Sequence, residues 1–190
     1  PVLARRYPKL RIQLHVTDRF VDLVQEGFDI AIRSHFAALP DSDLVQRRMA
    51  EEPITLVAAP SYVAERGAPQ APQALGDHDG LMAGMATKSW RLGDASGHIV
   101  EVAPRPRLHA DESTALMQAA QAGLGIVCLP RTISAQAVSE GTLMRVLPAW
   151  TAGRVTTTIL TPHKRGQLPA VRAVIDFLTQ AEGAGGGAVA

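Results

Sequence analysis

Polar side chains that could hold a small ligand follow predicted strands at three places in the chain. They are Thr17, the pair Arg33 and Ser34, and the run Asp111, Glu112 and Ser113. Free amides at the start of a helix attract hydroxyl groups and anions, and an arginine can hold a carboxylate with two parallel hydrogen bonds. In open α/β sheets, ligands gather at the carboxyl ends of the strands. These residues therefore predict a ligand-binding site of that kind.

Each of these residues also has a simpler structural explanation, and both explanations stay open at this stage. Thr17 and Asp111 are good helix N-caps, because a short side-chain oxygen can accept hydrogen bonds from first-turn amides. Arg33 could make an ion pair. Asp111 and Glu112 would themselves be stabilised by the helix dipole, by roughly 0.3 to 1 kcal/mol, which weakens the argument for an anionic ligand there.

The last three of these residues lie in the stretch HADESTALMQAAQAGLGIVCLP, residues 109–130. Its leucines and alanines between residues 116 and 124 follow helical spacing, and Gly123 is expected to end the helix. The continuous apolar run at 126–129, closed by Pro130, is typical of a strand covered on both faces. The stretch therefore predicts a helix that leads directly into a buried strand.

The other residues lie in or beside LRIQLHVTDRFVDLVQEGFDIAIR, residues 10–33. Ile12, Leu14 and Val16 alternate as in a strand, and Thr17 or Asp18 could cap a short helix that ends near residue 27. A second strand is expected at residues 29–33. A strand, a short helix and a strand predict a βαβ unit with two parallel strands.

The remaining elements can be placed coarsely from turn residues and apolar periodicity. Strands are predicted at residues 54–59, 90–92, 98–102, 105–109, 143–147 and 154–161, and helices at 61–66, 132–140 and 168–178. The proline- and glycine-rich residues 68–80 read as a surface connection with one helical turn. The Gly/Ala-rich tail, residues 182–190, is predicted to be disordered.

Charge and composition limit the classes of function. The 190 residues carry 19 basic and 18 acidic side chains and no strongly basic run, so this chain alone should bind DNA weakly or not at all. No membrane-spanning segment is predicted. Cys128 is the one cysteine, which excludes a disulfide framework and fits a reducing cytoplasm. It lies inside an apolar run, which is a poor position for a catalytic thiolate.

Sequence signals of catalysis are weak. The six histidines are scattered, and none has a His, Cys or Glu partner at metal-ligand spacing. The chain has no G-x-S-x-G elbow, no P-loop and no G-x-G-x-x-G fingerprint. We therefore expect no enzyme activity, no cofactor and no metal.

Three motifs carry a resemblance to a known family. FVDLVQEGFDIAIR, LPDSDLVQRRMAEEPITLVAAPSYVAERG and ADESTALMQAAQAGLGIVCLP occur in this order and resemble the effector-binding domain of LysR-type transcriptional regulators. The resemblance extends from about residue 1 to about residue 178. It implies an α/β fold of two lobes, like that of type 2 periplasmic binding proteins, in which ITLVAAP and TTTILTP are the two crossing strands. Lobe I would comprise residues 1–57 and 158–181, and lobe II residues 58–157.

The resemblance also implies a function and a set of ligand contacts. A small-molecule effector, with an organic acid as one candidate, would bind in the cleft between the lobes. Family positions that contact the effector correspond to Thr17, Ser34, Glu112 and Ser113. Trp90 would be either a wall of this site or a core residue. A periplasmic solute-binding protein has the same expected fold and is the alternative.

The resemblance finally implies partners for the intact regulator. Family members are usually dimers of dimers, and the pairing surface would here include Arg5, Tyr7 and Ile12. DNA would be bound only through an N-terminal winged helix-turn-helix that this sequence does not contain, with RNA polymerase as a further partner. The chain begins with Pro1, partway through a predicted helix, so we expect a piece of a longer cytoplasmic protein. The family's first strand is missing too, which should leave an open sheet edge.

Overall fold

The computed structural model describes residues 1–17, 21–162 and 168–183. The chain forms two compact units: unit 1 comprises Pro1–Glu51 and Thr156–Ala190, and unit 2 comprises Glu52–Val155. Both divisions fall inside a strand, because β2 spans Val45–Ala58 and β9 spans Arg154–Thr161. The chain therefore passes between the units twice, at residues 51/52 in β2 and at residues 155/156 in β9. The lobe limits drawn from the sequence stay a prediction.

Unit 2 is a mixed sheet with helices. Its further strands are β3 (Asp79–Ala83), β4 (Trp90–Gly93), β5 (Ile99–Val102), β6 (Arg105–Ala110), β7 (Ile126–Pro130) and β8 (Met144–Val146). Its helices are α2 (Pro60–Arg66), α3 (Ser113–Gln121) and α4 (Arg131–Ser139), with a 3₁₀ turn at Pro72–Asp77. The main sheet runs in the order β2, β7, β3, β6, while β4 and β5 form a separate antiparallel pair.

The core of unit 2 lies on both faces of this sheet, because successive side chains of a strand point to opposite faces. Leu56 and Ala58 of β2 join one apolar cluster, with Ile126, Met82 and others. Val57 joins the second cluster, to which α3 contributes Leu116 and Ala120. Burial on both faces explains why the mostly apolar end of β2, residues 54–58, and the apolar β7 do not alternate.

Within the described residues, unit 1 has fewer helices and strands than unit 2. It contains α1 (Val2–Arg6), β1 (Ala31–His35) and α5 (Pro169–Gly183), in addition to its parts of β2 and β9. The strand β1 pairs antiparallel with β9. Ile159 of β9 packs with Val171 and Ile175 of α5 in a compact apolar cluster. In the described part of the chain, β1 has a paired strand on one side only, as expected for an open edge.

The βαβ unit predicted for residues 10–33 is wrong. Residues 10–17 have no regular secondary structure, residues 23–27 form only turns, and residues 18–20 of the predicted helix lie outside the described residues. Leu14 and Val16 are 83% and 81% exposed, so the alternation of apolar residues is not used to cover a core here. A strand also needs a neighbour that accepts its backbone hydrogen bonds. The strand that does form, β1, finds that neighbour in β9, antiparallel to it.

The prediction for residues 68–80 missed a central strand. The helical turn is present at Pro72–Asp77, but β3 starts at Asp79 and runs parallel to both β6 and β7. Its sequence, DGLMA, contains a polar residue and a glycine and is too short to show a period. At the C-terminus, α5 continues through residue 183, so the predicted disordered tail is shorter, and its residues 184–190 lie outside the described residues.

No helix in the described ranges is both long enough and apolar enough to cross a membrane.

A close backbone approach beside β3 requires glycine at residue 125. A Cβ atom on Gly125 would lie 2.5 Å from the carbonyl oxygen of Asp79 and 3.0 Å from its carbonyl carbon. Real Cβ atoms essentially never come so close to a neighbouring backbone, so β3 and the chain entering β7 would have to move apart. Gly76 offers a matched comparison, since nothing lies within 4 Å of a Cβ placed there.

We predict that Gly125→Ala lowers the free energy of unfolding by roughly 1–3 kcal/mol, because the added methyl group overpacks the sheet. Urea denaturation of the intact protein measures the change. Gly76→Ala serves as the control and should be nearly neutral. Equal effects of the two substitutions would contradict the close approach.

Candidate functional site

Three strands of unit 2 end at the same edge of the sheet. Because β3 is parallel to β6 and to β7, their carboxyl ends lie side by side, with Ala83 of β3 opposite Ala110 of β6. Helix α3 begins three residues after β6, and α4 begins directly after β7. Two helix starts are thus placed at the carboxyl edge of parallel strands, which is where open α/β sheets bind ligands.

The start of α3 has no side-chain cap. Its N-cap is Glu112, whose side chain makes no capping hydrogen bond. Asp111 lies one residue further out, so its prediction as the N-cap is wrong: the helix begins at Ser113, one residue later than an Asp111 cap requires. Within the helix the first backbone donor is Leu116, which bonds the carbonyl oxygen of Glu112 at 3.2 Å. The earlier first-turn amides are left for solvent or a ligand.

The start of α4, by contrast, is capped by a carboxylate from another strand. Glu52 of β2 accepts a hydrogen bond from the amide of Thr132 at 2.7 Å and one from the Thr132 hydroxyl at 2.5 Å. A negative group at this position also gains from the helix dipole. One helix start at this edge therefore holds an internal carboxylate, while the other holds none.

The loop after β3 lies beside the start of α3. The amide of Gly84 donates to the carbonyl oxygen of Ala110 at 3.0 Å, and a Cβ on Gly84 would be 3.8 Å from a carboxylate oxygen of Asp111. His109 Nδ1 lies 3.1 Å from the carbonyl oxygen of Gly84. Because a carbonyl only accepts, Nδ1 carries the proton of this bond. His109 was not predicted, although its place two residues before Asp111, at the end of β6, was visible in the sequence.

In unit 1, the structure separates two of the predicted residues. Arg33 pairs in register with Thr158, and Ser34 with Thr157, so their side chains point to opposite faces of the strand. Ser34 Oγ lies 3.3 Å from Thr157 Oγ1. Arg33 shares its face with His35, whose Nε2 lies 2.8 Å from Thr158 Oγ1. Sequence reasoning missed His35 and these threonines, which only the pairing with β9 brings together.

The remaining predicted residues differ in their exposure and in the element on which they lie. Thr17 is exposed at the end of the irregular segment. Trp90 is 6% exposed and belongs to the apolar cluster that includes Leu92 and Val102, which is the core position that the sequence left open. Its role as a wall of a ligand site stays a prediction. Asp111, Glu112 and Ser113 are consecutive in the chain, and the structure places them at the start of α3.

Groups suited to other chemistry are sparse. Among the described residues, no three His, Cys, Asp or Glu side chains cluster closely enough to hold a metal ion. Burial raises the pKa of the Cys128 thiol far above its usual value, which disfavours the reactive thiolate. The start of α3 offers backbone amides, the Ser113 hydroxyl group and the flanking carboxylates of Asp111 and Glu112, all of which can form hydrogen bonds.

A buried histidine lies at the opposite, amino-terminal end of β3. The amide of Asp79 donates to the Tyr62 hydroxyl at 2.9 Å, and that hydroxyl lies 3.2 Å from His78 Nδ1. The Tyr62 oxygen accepts the amide proton, so its own proton is available to an unprotonated Nδ1. Burial, followed by the nearby Arg66 guanidinium, lowers the pKa of His78, against the smaller opposing effects of Asp77 and Asp79.

The chain belongs to a family of regulatory domains. The family described as LysR substrate binding domain matches residues 1–183, and the chain is a member of it. A relative from Haemophilus influenzae, described as an uncharacterized HTH-type transcriptional regulator, is 29% identical over 167 residues, which cover 87% of this chain and 57% of the relative. The chain spans about half the length of the curated relatives that it matches.

Solved structures of similar proteins indicate the same family. Full-length AphB, a virulence activator of Vibrio cholerae and a member of the LTTR family, is 28% identical, with a TM-score of 0.81 over 95% of this chain and 61% of AphB. The regulatory domain of CrgA from Neisseria meningitidis is 25% identical, with a TM-score of 0.80 over 95% of this chain and 88% of that domain. The predicted family and the two-lobed, periplasmic-binding-protein-like fold are confirmed, and the chain is an effector-sensing regulatory domain. The transporter alternative is not favoured.

We predict that Glu52→Ala destabilises the protein by roughly 1–2 kcal/mol, because it removes the carboxylate that caps α4. Chemical denaturation measures the loss. The neighbouring Glu51, which forms an exposed ion pair with Arg48 at 2.9 Å, provides the control, and Glu51→Ala should cost less than about 1 kcal/mol. A loss at Glu51 as large as that at Glu52 would argue against a specific cap.

The low pKa of His78 predicts a loss of stability in acid. The unfolded chain takes up a proton near the ordinary histidine pKa of about 6.5, while the folded chain resists protonation to lower pH, so stability falls as pH drops through this range. His78→Asn keeps an acceptor for Tyr62 and cannot titrate. We expect its unfolding temperature to fall less than that of the wild type between about pH 7.5 and about pH 5. His98→Asn, at an exposed histidine, should leave the wild-type difference unchanged; a parallel decline in all three proteins would contradict the prediction.

Proposed function

We propose that this chain is the ligand sensor of a LysR-type transcriptional regulator and that the start of α3 contacts its effector. The observation that carries the proposal is the uncapped helix start at the carboxyl edge of three strands, in a chain of this family. Ser113 would contribute its amide and its hydroxyl group. The other proposed contacts are Thr17, Arg33, Ser34, Trp90, Asp111 and Glu112.

The chemistry of this helix start favours a small polar molecule with a hydrogen-bond acceptor. An organic acid fits the amides of α3, and the carboxylate of Glu52 at α4 is an internal example of such a group at a helix start. Glu112 and Asp111 oppose a second negative charge. We therefore propose a ligand with one acceptor group directed at α3 and a hydroxyl or ammonium group that can approach these two acids.

The effector would act by shifting a conformational equilibrium of the intact regulator. A ligand can bias two states only through its different affinity for them, and about 1.4 kcal/mol of preference changes their ratio tenfold. The Haemophilus influenzae relative and CrgA are described as HTH-type transcriptional regulators, so DNA binding would reside in a separate helix-turn-helix domain, with dimers or tetramers as the working form and RNA polymerase as a partner. We place this regulator in the cytoplasm and assign it no enzymatic activity.

Ligand binding can be tested on the intact protein with a panel of small hydroxy, amino and keto acids, with thermal unfolding as the readout. A binder raises the unfolding temperature according to its concentration and Kd. For the best binder, we predict that Ser113→Ala weakens binding about tenfold, since one hydrogen bond to a charged group contributes roughly 1.5 kcal/mol.

Ser61→Ala is the matched control, because Ser61, like Ser113, is a serine in the first turn of a helix of unit 2. It should leave the affinity unchanged. Equal affinities for wild type and Ser113→Ala would remove α3 from the site. A mobility-shift assay with the protein's own promoter tests regulation separately, and the best binder should alter the complex.

A further inference from the structure

A cleft lies within unit 1, and none of the contact residues proposed above lines it. It has a volume of about 340 Å³, at the lower end of the range of small-molecule pockets. Two strands and one helix line it: Val45 and Arg47 of β2, Ile159 and Thr161 of β9, and Arg172, Ile175 and Asp176 of α5. The i, i+2 spacing in each strand and the i+3 and i+4 spacing in the helix place these side chains on one face of each element.

The floor of this cleft is apolar and well packed. Ile159 is 1% exposed and Ile175 is 8% exposed, and both belong to the core cluster of unit 1. Val45 extends this surface along β2. A branched aliphatic or aromatic group laid on this floor would gain free energy from the apolar area that it removes from water.

The charged rim is unpaired. Arg172 and Asp176 are four residues apart on α5 and could bond to each other, although a basic residue ahead of an acidic one is the less favourable order. Within the described part of the chain, neither residue makes an ion pair or a side-chain hydrogen bond, and the same is true of Arg47. The cleft thus presents two guanidinium groups and one carboxylate to the space above an apolar floor.

From this arrangement we propose that the unit 1 cleft is a second binding site, for an α-amino acid with an apolar side chain. The carboxylate of the ligand meets Arg47 and Arg172, its ammonium group meets Asp176, and its side chain rests on Ile159 and Ile175. A plain carboxylic acid would leave Asp176 facing a negative ligand, and a plain amine would leave both arginines without an anion. Only a zwitterion with an apolar body matches all three charges and the floor.

Isothermal titration calorimetry on the intact protein tests the ligand class with four probes. L-leucine carries both charges and the side chain, 4-methylpentanoate lacks the ammonium group, isopentylamine lacks the carboxylate, and glycine lacks the side chain. We expect L-leucine to bind at least about tenfold more tightly than each of the others. The proposal is overturned if L-leucine does not bind, or if 4-methylpentanoate binds as well as L-leucine does.

Variants then locate the site. Arg172→Gln should weaken L-leucine binding about tenfold, and Arg172→Lys, which keeps the charge, should recover part of it. Asp176→Asn should abolish the preference for L-leucine over 4-methylpentanoate. Arg107→Gln, at an exposed arginine of β6 in unit 2, is the control and should change nothing. Circular dichroism confirms that each variant is folded.

Ser113→Ala separates this site from the effector site proposed at α3. It should leave L-leucine binding intact, whatever it does to the effector. If Ser113→Ala weakens L-leucine binding and Arg172→Gln does not, the amino acid binds at α3, and the proposal for unit 1 fails while the proposed function stands. If both substitutions leave L-leucine binding unchanged, this cleft is not its site.

Discussion

The backbone of β3 runs between two parallel neighbours, and the rest of unit 2 depends on this pairing. Parallel strands end together, so β3, β6 and β7 bring the loop at Gly84, the start of α3 and the start of α4 to one edge. The pairing is tight on both sides. A Cβ on Gly80 would lie 2.6 Å from Pro104 Cγ, and one on Gly125 would reach the backbone of Asp79. Two glycines thus set how closely these strands approach.

The starts of α3 and α4 lie at the same edge, but only the start of α4 is capped by a carboxylate. The partial positive charge of a helix start favours a negative or acceptor group within the first turn. At α4 the chain supplies that group itself, from Glu52, which is 80 residues away from Thr132 in sequence. At α3 the nearest acids are Asp111 and Glu112, and neither caps the helix. The amides of α3 therefore keep the capacity to bind that those of α4 have already used.

Unit 1 uses its sequence differently. Its apolar cluster is small, and Leu14, Val16 and Phe36 are all more than three-quarters exposed. The apolar residues at 12, 14 and 16 alternate as in a strand, but in the described structure no neighbouring strand pairs with this segment. Conversely, β9 brings Arg33, Ser34 and His35 against a row of threonines that no local pattern joins to them. On α5 of unit 1, Arg172 and Asp176 line a cleft and form no ion pair with each other.

The sequence by itself determined the elements whose signals are local. Helical spacing and the glycine at residue 123 predict α3 and its end, the apolar run predicts β7, and three ordered motifs identify the family. Tertiary structure alone decided which strands pair: that β1 lies beside β9, that the short and partly polar β3 is central, and that Arg33 and Ser34 point to opposite faces. The physical reason is that a strand is completed by hydrogen bonds to a neighbour distant in the chain. The apolar periodicity and the strand propensity of a segment do not identify that neighbour.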